Sequence, residues 1–338
     1  MRENIYNQDE ITPNGGISDN KLQNSKTEFN TINTLEKDAF NLYRQAEIKL
    51  APGCCLDTLF TSKTTQYNDA YNLYIRAGEK YKMCNQWTKA SDCYEKCAHI
   101  KMDLKENALD SYKEAYFCSQ KTDLENNTDR LFAKMMNYLS SNGEYYEAGK
   151  LTEKNGEKYE NEKKYNAAIN SYLKAIEFYE MDNSHNSTKN NCLIKLADLM
   201  VINDHPDAAK KVPSIYENIG KDYLKNNLTK YSANEYFGKA ILSVIYYSND
   251  LSEGNIYINK YKEIAPSFED TSMCRLCVNC ANAMENKDSG LMKKGIKEYK
   301  DVNEIDNFMG NIFIKLINKV QKFGGQAGNI IDNEDDYK

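Results

Sequence analysis

The side chains with chemistry to offer are ten cysteines and three histidines. Cys274, Cys277 and Cys280 recur at every third position, which gathers their thiols near one face of a helix. A closed zinc site takes four such ligands. No fourth lies close in sequence, and the nearest histidine is His205. The competing reading is three small apolar side chains in a helix seam, and no metal or other cofactor is expected. The patterns G-x-x-x-x-G-K-[ST], G-x-S-x-G and H-E-x-x-H do not occur. With histidines only at 99, 185 and 205, no acid–base pair suggests itself. The chain therefore reads as a protein that is not an enzyme. It opens on MRENIYNQDE, without the apolar core of a secretory signal, so reduced thiols are expected rather than a disulfide framework.

Composition points to the elements that position these residues. Of 338 residues, 41% are hydrophobic and 28% charged, with a net charge of -6 and a mean hydropathy of -0.76. Tyrosine dominates the aromatics, 26 against 11 Phe and one Trp. It fills helix seams while keeping a polar tip in water, which suits a thin layer of helices. Five prolines and 16 glycines are few for a turn-rich β fold. No stretch approaches the roughly 20 apolar residues of a membrane span. Residues 70–230 carry 24 basic and 24 acidic side chains, so no net field marks a nucleic-acid partner, and none is expected.

A local pattern recurs: alanine, an aromatic four residues on, a small residue three further. It reads Ala70-Tyr74-Ala77, Ala90-Tyr94-Cys97, Ala108-Tyr112-Ala115, Ala168-Tyr172-Ala175 and Ala233-Phe237-Ala240. The first three starts lie 20 and 18 residues apart, and Ala90 to Ala168 spans 78, near four such steps. Degenerate copies are expected at Thr128-Phe132-Met135 and around Ala148. These positions share one helix face. A helix-plus-loop unit of about 20 residues gives a two-helix repeat somewhat longer than the tetratricopeptide period of about 34. The expected fold is all-α: a TPR-like, right-handed layer of antiparallel helices closed by a compact C-terminal helical cap. An ordinary helical bundle with alanine seams is the alternative. Residues 1–33 are polar and expected to form a disordered extension. Residues 34–250 are assigned to the layer, with a loop at 52–64 after a helix that stops before Pro52-Gly53. Residues 251–323 are assigned to the cap and 324–338 to a flexible acidic tail. Loops are expected at 85–87, 121–123, 142–143, 183–191 and 203–206.

The segment Lys230-Tyr231-Ser232-Ala233-Asn234-Glu235-Tyr236-Phe237, followed by Lys239-Ala240, is similar to LKYSAKDYFFKA of the soluble NSF-attachment proteins. Lys260-Tyr261, Pro266-Ser267-Phe268, Cys274-Arg275-Leu276 and Glu298-Tyr299 downstream fall at that family's spacing. Upstream, Tyr81-Lys82-Met83, Trp87 and Asn191-Cys192-Leu193-Ile194-Lys195 do the same. From about residue 36 onward the chain resembles the α/β branch of the family. The resemblance implies an adaptor that grips the SNARE four-helix bundle by charge. It further implies that the adaptor recruits and stimulates a hexameric NSF-type AAA ATPase and touches the cytosolic face of membranes. The free protein would be a monomer, with several copies on one SNARE complex. A generic TPR-like scaffold not specific for SNAREs is the alternative.

Carried over position by position, the resemblance implies SNARE contacts at Lys121, Lys150 and Lys195. Asn191 stands where the family usually has lysine, with Lys189 nearby as a substitute, and Glu144 stands where the family has arginine. The family's FFSGLF-like membrane loop corresponds to Cys55-Leu56-Asp57-Thr58-Leu59-Phe60, where Leu56, Leu59 and Phe60 keep apolar anchors. Cys54 and Cys55 beside them are either acylated or packed under the first helix. ATPase docking is implied at Glu285 and at the acidic ending, Asp335, Asp336 and Tyr337, where tyrosine takes the place of the family's penultimate leucine. The bland reading of that tail is a solubilising end.

Overall fold

All fifteen residues of the five motifs are buried, none more than 4% exposed. The small members let helices close up, and each ring then needs space on a neighbour. Glycines supply it. Tyr94 lies over Gly78, Tyr179 over Gly149, Tyr172 over Gly156 and Phe237 over Gly220; a Cβ at those glycines would lie 3.1, 2.7, 3.2 and 2.7 Å from the ring.

The computed structural model describes residues 19–51, 62–122, 125–182 and 184–324. Among them there are helices and no strands. Two compact units divide at Gly143 and Glu144. The first holds α1 (Asp19–Leu50), α2 (Lys63–Met83), α3 (Trp87–Asp103), α4 (Leu109–Ser119) and α5 (Glu125–Ser141). Successive helices pack as antiparallel neighbours, and ion pairs tie each to the next but one. Lys96 of α3 reaches Glu47 of α1 at 2.7 Å, Lys82 of α2 reaches Glu114 of α4 at 2.8 Å, and Lys134 of α5 reaches Glu95 of α3 at 2.8 Å. This is the expected TPR-like arrangement.

The second unit begins with α6 (Tyr145–Asn161), α7 (Tyr165–Asp182), α8 (Asn186–Ile202), α9 (Ala208–Leu224) and α10 (Ala233–Tyr247). It continues through α11 (Glu253–Ile264), a 3-10 turn at Pro266–Phe268, α12 (Ser272–Asn286), α13 (Ser289–Lys300) and α14 (Asn307–Phe323). Thr271, Asp288 and Asp306 cap α12, α13 and α14 through their side chains, each satisfying amides that open a helix.

Three expectations change. The layer and cap do not separate near residue 250, because one apolar core runs from Ala168 to Val320. Buried Lys239 of α10 bonds Asp306 at the cap of α14. Lys319 of α14 donates to the carbonyls of Ile245 and Tyr246 at 2.9 and 2.6 Å. Of the expected extension at 1–33, residues 19–33 are helical, and residues 1–18 lie outside the described residues. No Pro or Gly interrupts residues 17–51, and the Cys84 thiol donates to the Ile32 carbonyl at 3.6 Å. Finally, the loop expected at 183–191 is helical from Asn186, with Asn190 and Cys192 buried; packing overrides a run of poor helix formers.

Ring seating makes an ordered prediction. Gly→Ala inside a helix gains about 1 kcal/mol of propensity, while overpacking costs about 1–3 kcal/mol. Gly149→Ala and Gly220→Ala, with the closest ring contacts, should be net destabilising in urea unfolding. Gly78→Ala should lie near neutral. A Gly149→Ala protein more stable than the parent would contradict the seating.

Candidate partner-binding surfaces

In the second unit the site begins with two tyrosines of α7. Buried hydroxyls need acceptors. Tyr179 donates to Glu153 at 2.7 Å and Tyr172 to Glu160 at 2.8 Å, both on α6. Lys195 of α8 then bridges Glu153 at 3.0 Å and Glu157 at 2.7 Å. Burial alone would lower the Lys195 ammonium, but the two carboxylates outweigh it and hold it above the ordinary lysine range. Lys195 is therefore a strut between α6 and α8.

Lys150 lies on the same stripe of α6, three and seven residues before Glu153 and Glu157. It is exposed, and no ion pair engages it among the described residues. Asn191, four residues before Lys195, is exposed beside this stripe. Lys189 lies about 120° around α8 from Lys195, so the structure does not bring it to the position it was expected to fill. Counting Lys150 and Lys195 against Glu153 and Glu157, the stripe is locally neutral rather than basic. Glu144 sits at the N-cap of α6.

In the first unit Lys121 follows α4, exposed, with its ammonium 5.4 Å from the centre of the Phe117 ring. Lys82 lies 5.8 Å from the same ring, and Phe117 is 44% exposed. A ring flanked by two ammoniums is a cation–π cluster open to solvent. The sequence reading missed Phe117 and Lys82. The signal was there: Phe117 falls about 140° off the stripe set by Tyr112, and an aromatic on the outer face invites a reason. In the same unit, Glu95 of α3 is held by Arg130 through two 2.6 Å bonds and by Lys134. Burial would raise this carboxyl, but the two cations overcome it and set it at about 2.

Other expected positions are accounted for singly. Glu285 is exposed near the end of α12 and accepts from the Asn255 amide of α11 at 2.7 Å. Cys54, Cys55, Leu56, Leu59 and Phe60, and Asp335, Asp336 and Tyr337, lie outside the described residues. Cys274, Cys277 and Cys280 are buried at 2% or less. Burial pushes all three thiols up, that of Cys280 to about 12, so they pack as neutral apolar groups. Ser184, His185 and Asp182 come together, but hydroxyl and carboxylate meet the same ring nitrogen, Nδ1, at 2.7 and 2.6 Å. That geometry makes a turn and cannot relay a proton from serine through the ring to the carboxylate. No described helix is long and apolar enough to cross a membrane.

Fold and surfaces together define an α-helical repeat protein that exposes single lysines unpaired among the described residues, Lys121 and Lys150, and an outward-facing ring, Phe117. The family model described as "Soluble NSF attachment protein, SNAP" matches residues 37–321, and the chain belongs to that family. It is similar to the vesicular-fusion protein SEC17 of Komagataella phaffii, 29% identical over 304 residues, covering 88% of this chain and 97% of that protein. It is likewise similar to the beta-soluble NSF attachment protein of Bos taurus, 27% identical over 299 residues, covering 87% and 98%. The alpha-soluble NSF attachment protein of Homo sapiens is 25% identical over 289 residues, covering 85% and 96%.

Two measurements follow from the struts. Lys195→Ala leaves Glu153 and Glu157 without their cation and should cost about 1 kcal/mol, in line with a partly exposed pair. Lys150→Ala should stay within about 0.5 kcal/mol of the parent. Chemical denaturation of both variants reads the difference. Glu95 titrates near 2 in the fold against about 4.3 unfolded. Its stabilisation is complete above about 4.3 and is lost as pH falls through about 2. In Glu95→Gln, stability between these values should vary less with pH than in the parent.

Proposed function

We propose that this protein is an adaptor in intracellular membrane fusion. It binds SNARE four-helix bundles and recruits an NSF-type AAA ATPase that takes them apart. The observation that carries the reading is the family match over residues 37–321. The names of the relatives speak of vesicular fusion and of NSF attachment, and the adaptor reading accounts for these where a generic scaffold does not. ATP hydrolysis belongs to the partner; the helical units contribute binding surfaces and stiffness.

Exposure and pairing guide our choice of the residues that meet the SNARE bundle. Lys121 and Lys150 are exposed and uncommitted to any ion pair among the described residues, so their fields reach solvent and an acidic partner. Lys195 contributes less charge because Glu153 and Glu157 surround it. Phe117 gives the first unit an exposed apolar anchor beside Lys121, while Lys82 near the same ring is paired with Glu114; an exposed aromatic of this kind suits a binding hot spot. Glu285, Asp335, Asp336 and Tyr337 form the ATPase-docking end. Leu56, Leu59 and Phe60, with Cys54 and Cys55, form the membrane contact at the cytosolic face. Several copies on one bundle turn weak single contacts into firm attachment.

Disassembly of a purified SNARE complex by the ATPase, with and without this protein, tests the reading. Disassembly should depend on the added chain, and independence from it would sink the proposal. Lys121→Glu with Lys150→Glu should weaken SNARE binding about tenfold or more and flatten its salt dependence. Lys189→Glu should change little. Phe117→Ala should weaken binding without altering the salt slope.

A further inference from the structure

An open pocket of about 490 Å³ lies in the second unit where α10, α12 and α14 begin, lined among others by Asn234, Ser272, Tyr299, Glu304 and Asp306. Asn234 is 6% exposed. Its Nδ2 reaches Ser267 Oγ at 3.4 Å, but its Oδ1 is buried with no hydrogen-bond partner. An orphaned buried acceptor costs about 1–3 kcal/mol, so its persistence at the wall of a cavity points to a donor that arrives from outside.

The charge around it selects the donor. Glu235, Glu304 and Asp306 line the pocket, and among the described residues Lys239 is the one ammonium that pairs with any of them. Lys239 pairs with Glu235 at 2.7 Å and with Asp306. Asp306 also caps α14 by accepting from the Met309 amide at 2.8 Å. Those bonds engage both oxygens of Asp306 and one of Glu235. Glu304 is exposed and has no ion-pair partner among the described residues. Three carboxylates against one ammonium leave a surplus of negative charge at the mouth. Met273, Met309 and Tyr299 supply apolar wall, suited to an aliphatic stem that carries its charge at the tip.

We propose that this pocket binds an organic cation on an aliphatic stem, a guanidinium or ammonium that donates to Asn234 Oδ1 and is balanced by Glu304 and Glu235. The source is an arginine or lysine side chain of a partner protein, or a free polyamine of the same chemistry. The site is separate from the lysine surfaces above, and its test needs neither SNARE complex nor ATPase.

The experiment titrates the full chain, labelled with ¹⁵N, with N-acetyl-arginine amide, with spermidine and with N-acetyl-citrulline amide, the neutral isostere. Saturable shifts at Asn234, Ser272 and Asn303 are expected with at least one cation and not with citrulline. Response to the arginine amide alone assigns the site to a protein side chain; response to spermidine assigns it to a polyamine. Asn234→Leu should weaken binding about tenfold while leaving the melting temperature unchanged or higher, since it removes the orphaned acceptor. Asn234→Asp should tighten it, and the exposed Glu304→Gln should weaken it about threefold. Equal binding of citrulline, undiminished binding by Asn234→Leu, or no shifts at the pocket with either cation overturns the proposal.

Discussion

The distance between neighbouring helices is the quantity on which both units depend, and it is set by rings lying on residues that have little or no side chain. Tyr94 over Gly78 in the first unit and Tyr172, Tyr179 and Phe237 over glycines in the second hold their helix pairs at close range. Dense packing makes such contacts unforgiving, because an extra methyl has no room to relax into. The seam is thus built from shape, and it is repeated because each helix pair meets the same problem.

That seam creates an electrical problem, and its solution shapes the surface. A tyrosine buried to its ring must still satisfy its hydroxyl. Tyr172, Tyr179 and Tyr261 all donate to glutamates, Glu160, Glu153 and Glu217, at 2.8, 2.7 and 2.9 Å. A carboxylate drawn toward the core then needs a cation. Glu153 takes Lys195, and Glu217 takes Lys221 and Lys260. Where lysines arrive, they outweigh burial, and Glu217 settles at about 2. Asp198 accepts from Tyr216 at 2.9 Å but has no ion pair among the described residues, and burial pushes its carboxyl up to about 6. The contrast shows what the lysines do. Lys195 and Lys260 are thus committed to carboxylates on other helices rather than presented to a partner.

How legible this was follows from which physics leaves a local trace. Helix identity and the buried stripes were readable because the spacing of Ala70, Tyr74 and Ala77 and its copies maps onto one helix face, and every copy is buried. The copy expected at Thr128-Phe132-Met135 was partly misplaced; Leu131, Met135, Met136 and Leu139 form the buried face there. Several helix ends were not readable. The chain turns through left-handed conformations at Lys105, Lys163 and Lys287, where neither glycine nor asparagine announces the stop. The division at Gly143 was invisible for a different reason. Core continuity from α7 to α14 depends on pairs such as Lys239 with Asp306, 67 residues apart, and no local pattern encodes them. The same holds at the surface. Lys150 and Lys195 look alike in sequence, and only the position of Glu153 and Glu157 across the helix pair separates a strut from an exposed charge.

This separation bears on how a charge-reading adaptor can also be stiff. A lysine locked between two carboxylates holds helices together but presents little field. A lysine with no such partner presents its field but holds nothing. An adaptor of the proposed kind, which must grip an acidic bundle and stay rigid, therefore cannot assign one residue to both tasks. Here the two tasks fall to different residues on one stripe, Lys195 to the frame and Lys150 to the solvent side. The substitution of acidic Glu144 and neutral Asn191 at neighbouring family positions leaves the second task with few members. In the proposed adaptor, grip would then rest more heavily on each remaining exposed cation, on Phe117 and on the number of copies acting together. Added salt should be felt more in the encounter with a partner than in the fold, since the struts are partly desolvated and screened less than the exposed lysines.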